Sequence, residues 1–471
     1  MVLLENQIKK HLYQSIIASC QKAAPASLCR SSENKAVGVF NRHAATNSLY
    51  RKILENEGFH GHKITDIDAF KTHVPVIDKN KLFHPLNNID TRDLLGDVRS
   101  ILLSSGSSGT FSFGLATAPE INASARFLEV LLNHFYHTLE EKTLIINCLS
   151  VKLPALNLAA AEIGPRSDSL LYILNTLAPR FSQTIIIGDN YFIKNALEEY
   201  SSHKNSPASS LRIHLILGGV YLPENLRGHL YHLLHIDEND PQTGSILSSM
   251  GISEFGLNLF FESPETARLR RLAQNEPTLR ENLLDSTCPP YLPMFFNYFP
   301  QAYFMEELEQ KIVITSLNPK SQLPLVRYNT QDTGKLLAYE DLKEKLEGFK
   351  DQDRNDLLPP FKSPLVLMYG KAEGLNINGA IIYPQLIQEG IYQDFEAASQ
   401  TTGNFRLSAN DGQADIKIQL KKGLPINEAL INKFQKTALR YLHKDISVTL
   451  SPYQDFPYGM ELDYERKFKY V

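Results

Sequence analysis

Several groups of residues in this sequence have the types and spacing to do chemistry. The first is ILLSSGSSGTFSFG, Ile101 to Gly114, where a glycine- and serine-rich stretch follows three aliphatic residues. Such a turn is either a flexible connector or a cradle of backbone N–H and hydroxyl donors around a phosphate. The second is SSMGISEFG, with Glu254 after a turn that contains Gly251 and Ser253. The third is LPLVRYNTQDTGKL, where Arg327 and Asp332 flank a strand end, and YGKAEGLNING follows it. Taken singly, Glu254 and Asp332 read equally well as surface or capping carboxylates, and Lys467 in the terminal YERKFKYV reads as a solvated lysine. His229, His232 and His235, like His134 and His137, recur at spacings that suit metal ligation on a helix face. No acidic or cysteine partner accompanies them in the sequence, so they read as ordinary helix residues.

The chain that must position these groups has 471 residues, 43% hydrophobic and 21% charged, which suits two or more globular domains. A net charge of -4 and a pI near 6.4 argue against nucleic acid or an anionic membrane as the main partner. Cys20, Cys29, Cys148 and Cys288 show no C-x-x-C spacing, which fits reduced thiols in cytoplasm and disfavours a structural zinc. The N-terminal MVLLENQIKKHLYQSIIASCQK predicts an amphipathic helix rather than a signal peptide, and no run approaches a membrane span. From residue 100, aliphatic runs alternate with helical stretches (SILLSS, TLIINCL, QTIIIGD, RIHLILGG), the pattern of an α/β domain with mainly parallel sheets. EELEQKIVITSL predicts a β-hairpin. Beyond the charged, proline-ended EGFKDQDRNDLLPPFKSP the order is strand, strand, helix, strand, a small α+β domain.

The ordered set of motifs resembles the adenylate-forming superfamily, in its branch of phenylacetate–CoA ligase, CapK-like proteins and acyl-protein synthetases. The phosphate loop of that family is matched by Ser105, Gly106, Ser107, Ser108 and Gly109. Its Y-G-x-T/S-E motif is matched by Gly251, Ser253 and Glu254, and its R-Y-x-T-G-D motif by Arg327, Tyr328, Thr330 and Asp332. The hinge and its glycine loop resemble Gly370, Lys371, Glu373, Gly379 and Pro384. LYRKILENEGF, HVPVIDKNKL and LILGGVYLPENLRGHL are also similar to this branch, so the resemblance spans nearly the whole chain. The chain departs from the family pattern at Phe111, Met250, Gln331 and Lys371, which stand where the family has proline, tyrosine, glycine and arginine. No lysine or arginine lies between Ser104 and Arg126, so the loop acts on phosphate through N–H and hydroxyl donors.

The resemblance implies a large α/β domain over 1–369, a hinge at 370–374 and a mobile α+β domain over 375–471. It implies ATP-dependent activation of a carboxylic acid to an acyl-adenylate, with release of pyrophosphate and then transfer to a thiol. Ser105 to Gly109 would hold the departing phosphates, with Gly251, Ser253, Arg327 and Lys371 around the nucleotide. Glu254 would help hold Mg2+, and Asp332 would accept from the ribose hydroxyls. Lys467 would bridge carboxylate and α-phosphate, with Lys469 as its rival because Arg466 stands where the motif has glycine. Glu373 would be the pivot, and Gly379 would face the thiol channel. The acid is aryl or fatty by analogy alone. The thiol is that of coenzyme A, of a carrier protein or of a partner enzyme's cysteine, and a non-catalytic nucleotide-binding relative is the remaining alternative.

Overall fold

Aliphatic runs without alternation form the centre of the molecule, as strands buried on both faces must. The computed structural model describes residues 2–61, 63–84, 95–104, 112–202, 211–284, 286–347, 354–410, 412–442, 446–456 and 470. Its strands are β1 (Val98–Leu103), β2 (Phe113–Thr117), β3 (Thr143–Asn147), β4 (Ala159–Glu162), β5 (Gln183–Asp189), β6 (Ile213–Gly218), β7 (Gly244–Ile252), β8 (Gly256–Phe261) and β9 (Met294–Phe296). There follow β10 (Tyr303–Leu308), β11 (Lys311–Ser316), β12 (Tyr328–Leu337), β13 (Leu365–Gly370), β14 (Leu375–Ile377), β15 (Ala380–Ile382), β16 (Thr401–Asn410), β17 (Gln413–Leu420) and β18 (Ile446–Ser451).

The first large sheet runs β4-β3-β5-β6-β7-β8 and is parallel from β4 to β7, with β8 antiparallel. This is the α/β architecture that the alternating runs predict. The second runs β10-β11-β12-β13-β9, is antiparallel throughout, and was not separated from the first by the sequence pattern. Its β10–β11 hairpin is the one predicted from EELEQKIVITSL. Glu309 and Gln310 form the two-residue turn at φ 49° and 61°, the hand that matches strand twist. The two sheets meet at a bridge between Phe261 and Asn297. The N-terminal helix Val2–Lys22 is present and packs Tyr13, Ile17 and Cys20 against helix Ala118–Tyr136, with the Tyr13 phenol donating to Glu129 Oε2 at 2.6 Å. Among the described residues no helix is long and apolar enough to cross a membrane.

The C-terminal segment forms strand, strand, helix, strand as predicted: β16, β17, helix Glu428–Leu442 and β18. Its docking onto the large α/β part uses buried charge. Lys194, with no exposed surface, pairs with Glu198 at 3.1 Å and donates to the carbonyls of Ala398 (3.1 Å) and Thr401. Glu389, on helix Pro384–Ile391, is 2% exposed and accepts the N–H groups of Glu224 (2.8 Å) and Asn225 (2.9 Å). Those two open helix Glu224–Leu234, so the carboxylate sits on the positive end of a helix dipole. Beneath it Glu224, Arg227, Glu262 and Arg270, all nearly inaccessible, form a closed ion network.

Glu389 therefore adds a third carboxyl to a site that holds two carboxylates and two guanidiniums. Burial is the largest influence and Glu224 adds to it, against the pull of the two N–H donors and Arg270, and the carboxyl is pushed up from 4.5 to about 7. A carboxyl raised on folding stabilises the fold fully below its unfolded value and loses that contribution as pH rises through its folded value. The melting temperature is expected to fall between pH 5 and pH 8 by a Glu389-dependent amount worth on the order of 3 kcal/mol. Glu389→Gln should flatten that slope in thermal melts. An unchanged slope would place the titration elsewhere.

Candidate active site

The carboxyl ends of β5, β6 and β7 form one edge of the parallel sheet, the side on which open α/β sheets take ligands. At the end of β7 the chain turns through Ser253, Glu254 and Phe255 into β8. β2 is pressed against that turn: a Cβ on Gly114 would lie 2.0 Å from the Ser253 carbonyl oxygen, so only glycine allows this approach. Gly251 is packed as tightly, and a Cβ there would meet the Leu257 backbone at 2.7 Å. Ser105, Gly106, Ser107, Ser108 and Gly109 lie outside the described residues. The neck of their loop is closed by Ser104 N–H donating to the Ser112 carbonyl and Ser112 N–H donating to Ser104 Oγ, both at 2.9 Å. Gly114, two residues beyond the neck, thus lies against the turn that carries Glu254.

A cation reaches this neck from a distant segment. The Lys79 ammonium, at the start of helix Lys79–Phe83, donates to Ser104 Oγ at 3.4 Å. The Asp78 cap in HVPVIDKNKL foretells the short helix, but nothing in the sequence pairs Lys79 with residue 104.

The Glu254 carboxylate accepts from Ser253 Oγ at 2.8 Å on Oε2 and from the Tyr328 phenol at 2.6 Å on Oε1. Two neutral hydroxyls leave each oxygen a lone pair for a cation. Among the described residues no group of three or more acidic, histidine or cysteine side chains is placed to hold a metal ion. A Mg2+ fits such a place only in the manner of nucleotide sites, with one carboxylate plus phosphate oxygens and water.

Arg327 is placed otherwise than the resemblance implies. Its guanidinium faces into the protein, forked on Glu306 (3.1 and 3.0 Å) and donating to the carbonyls of Phe70 (3.5 Å), Lys71 (2.7 Å) and Val74 (2.6 Å) at the end of helix Ile67–His73. The guanidinium is engaged with protein groups in this structure, whereas the resemblance implies a place around the nucleotide. Its φ of 47° turns the chain so that Tyr328, next along, aims at Glu254. Asp332 is buried midway along β12, and the Tyr328 phenol feels the carboxylates of Glu254, Asp78 and Asp332, in that order. Gln331, standing where the family pattern has glycine, has φ 62°, the left-handed conformation that glycine adopts without strain.

Lys371 lies beside Asp332, with Nζ 3.4 Å from Oδ1 and 3.1 Å from the Thr330 carbonyl. Half-exposed, it is a weak and replaceable partner. Gly370 and Ala372 have φ 75° and 49°, so the chain turns sharply on both sides of Lys371 before exposed Glu373. Gly379, at φ 82°, follows Asn378 in the turn between β14 and β15, and its N–H donates to Asn376 Oδ1 at 3.0 Å. Lys467 and Lys469 lie outside the described residues. Tyr470, just beyond, stacks on Phe405 and its phenol meets that of Tyr191 at 3.0 Å. His229 has an acidic partner that the sequence did not disclose, Glu198 at 2.6 Å, in the docking interface rather than in a metal cluster.

No protein-family model matches the sequence, and no curated protein matches it. Solved structures do match in fold. A 2-hydroxyisobutyryl-CoA ligase, in the postadenylation state with an acyl-AMP, superposes with a TM-score of 0.65 over 93% of this chain and 87% of its own, at 13% identity. The same ligase with 2-HIB-AMP and CoA in the thioesterification state gives 0.54 over 93% and 88%, at 13% identity. Its open conformation gives 0.52 over 93% and 90%, at 13% identity. The chain shares its fold with this CoA ligase, as the motif order predicts.

The buried Arg327–Glu306 pair makes a prediction independent of any ligand. Arg327→Leu strands the Glu306 carboxylate and should cost about 3–5 kcal/mol in urea unfolding without nucleotide. Arg327→Leu combined with Glu306→Leu should recover part of that loss. A single variant as stable as the parent would return Arg327 to the set of ligand-contacting residues.

Proposed function

We propose that this chain activates a carboxylic acid with ATP and passes the acyl group to the thiol of coenzyme A. The observation that carries the reading is a fold shared with a CoA ligase, in which the Glu254 turn at the end of the parallel strand β7 is pressed against β2, the strand that follows the Ser105–Gly109 segment. The 2-hydroxyisobutyryl-CoA ligase has been captured with an acyl-AMP and with CoA, which supports the same two substrates here.

In the first step a carboxylate oxygen of the acid bonds to the α-phosphorus of ATP while the bond to the bridging oxygen breaks and pyrophosphate leaves. Both reactants are anions, so the site must supply positive charge and alignment. The N–H groups and hydroxyls of Ser105 to Gly109 hold the departing phosphates, and the Lys79 ammonium adds positive charge at their neck. Glu254 would hold Mg2+, which when bound would supply charge neutralisation for the phosphates. Asp332 accepts from the ribose hydroxyls once Lys371 yields its place. Lys467 bridges carboxylate and α-phosphate.

In the second step the thiol sulfur bonds to the acyl carbon, AMP leaves with the former carboxylate oxygen, and the thiol proton passes to solvent. A turn about Glu373 withdraws Lys467 and brings the Gly379 loop to face the thiol. That turn must break the buried contacts of Lys194 and Glu389, so docking strength sets its cost.

A carboxylic-acid library should reveal acid-dependent ATP–pyrophosphate exchange, with AMP and never ADP as product. ADP formation would remove the reading. Asp332→Ala should raise KM for ATP more than KM for the acid, by the loss of a hydrogen bond to a charged group, about 1.5–3 kcal/mol. Lys467→Ala should abolish exchange while sparing acyl transfer from supplied acyl-adenylate, with Lys469→Ala as the control. The reverse pattern would move the bridging role to Lys469.

A further inference from the structure

Glu254 has three rotatable side-chain bonds and sits in the half-buried turn between β7 and β8, where its carboxylate is held from two directions. Ser253 Oγ reaches Oε2 from the same turn, at 2.8 Å. The Tyr328 phenol reaches Oε1 at 2.6 Å from the other sheet, across 74 residues of sequence. Tyr328 is 2% exposed, and its ring meets the edge of Phe255 at 5.8 Å, which in turn meets Tyr303 at 5.9 Å. Its backbone is fixed on both sides, by Ile77 N–H donating to the Arg327 carbonyl (3.1 Å) and Asn329 N–H donating to the Ile77 carbonyl (2.8 Å).

The character of these donors matters. A lysine or arginine would compete with a metal for the carboxylate's charge, whereas a hydroxyl orients the group and leaves the charge available. Among the described residues no lysine or arginine pairs with Glu254. A carboxylate tied at both oxygens is also hindered from turning both of them onto one ion. Ca2+ commonly takes carboxylates that way and tolerates irregular shells, while Mg2+ needs a compact octahedron and is served by single oxygens.

We propose that Tyr328 is a positioning residue: with Ser253 it locks the Glu254 carboxylate in one orientation, tightening the site for Mg2+ with ATP and selecting Mg2+ over Ca2+. The inference rests on the adenylation reading, which places a metal at Glu254.

Titration calorimetry of ATP with Mg2+, with Ca2+ and with chelator separates the possibilities. Tyr328→Phe removes one oxygen and keeps the ring. The gain in ATP affinity that Mg2+ confers should shrink roughly tenfold, the metal-free affinity should stay unchanged, and the preference for Mg2+ over Ca2+ should narrow. In steady-state assays KM for Mg·ATP should rise with kcat unchanged. An intact Mg2+ gain, or an equal loss with and without metal, would overturn the proposal. Glu254→Gln separates the two levels of inference. If it retains the Mg2+ gain, Glu254 holds no metal and the underlying reading of the site fails too. If it loses the gain while Tyr328→Phe does not, only the role of Tyr328 falls. Absence of ATP binding to the parent protein would overturn both. Should Tyr328→Phe fail to fold, Ser253→Ala removes the other donor and should shift the same quantities in the same direction, an unchanged Mg2+ gain counting against the lock.

Discussion

The guanidinium of Arg327 is the knot on which the site depends. It is buried, and a buried cation must have its donors met. Here they are met by Glu306 on β10 and by the carbonyls at the end of helix Ile67–His73, while the backbone N–H of Arg327 donates to Thr315 Oγ1 on β11 at 2.9 Å. The N-terminal helices are thereby fixed to the antiparallel sheet. The same residue's left-handed backbone sets the direction in which β12 begins, and so the aim of Tyr328 and the position of Asp332. Tyr328 then crosses to Glu254 on the parallel sheet. In this stretch the buried arginine helps to place the tyrosine and the aspartate that follow it.

A second constraint governs how the C-terminal segment sits. One hydrophobic core runs from the parallel sheet through helix Pro384–Ile391 into β16, β17 and β18, and the polar groups at the junction are satisfied across it. Lys194 donates to Ala398 and Thr401, Asn195 to the Thr402 carbonyl, and Lys421 pairs with Glu198. Breaking one partner from such a set leaves a buried charge uncompensated, which is costly. A swing between two reaction steps would require water or new partners to take these groups over. Burial and the neighbouring Glu224 raise the Glu389 carboxyl at this junction.

Much of this was legible in the sequence because it was local. TLIIN, QTIIIGD and IHLILG announced strands buried on both faces, Glu309 and Gln310 fell in a predicted hairpin, and the C-terminal order of elements was read correctly. The fold followed from the order of weak motifs. What stayed hidden depended on long-range partners. Arg327 finds Glu306 only 21 residues away but its helix carbonyls more than 250 away, and no local signal distinguishes a clamp from a ligand. Lys79 reaches Ser104 from a helix whose sequence advertises only its cap. Glu389 looks like an ordinary helix glutamate until the start of helix Glu224–Leu234 is placed against it. Gln331 was conspicuous as a missing glycine, and its positive φ supplies the physical reason that the family pattern has glycine there.

Glu254, Tyr328 and Asp332 are thus held at the edge of a ligase fold by constraints that would also serve a protein that only binds nucleotide. The central claim, that a carboxylate attacks the α-phosphate at this edge, is tested most directly by an isotope. With a substrate acid labelled with 18O in both carboxylate oxygens and coenzyme A as acceptor, mass spectrometry should find one 18O in each AMP formed and none in pyrophosphate. Unlabelled AMP, or label carried into inorganic phosphate beside ADP, would contradict the account.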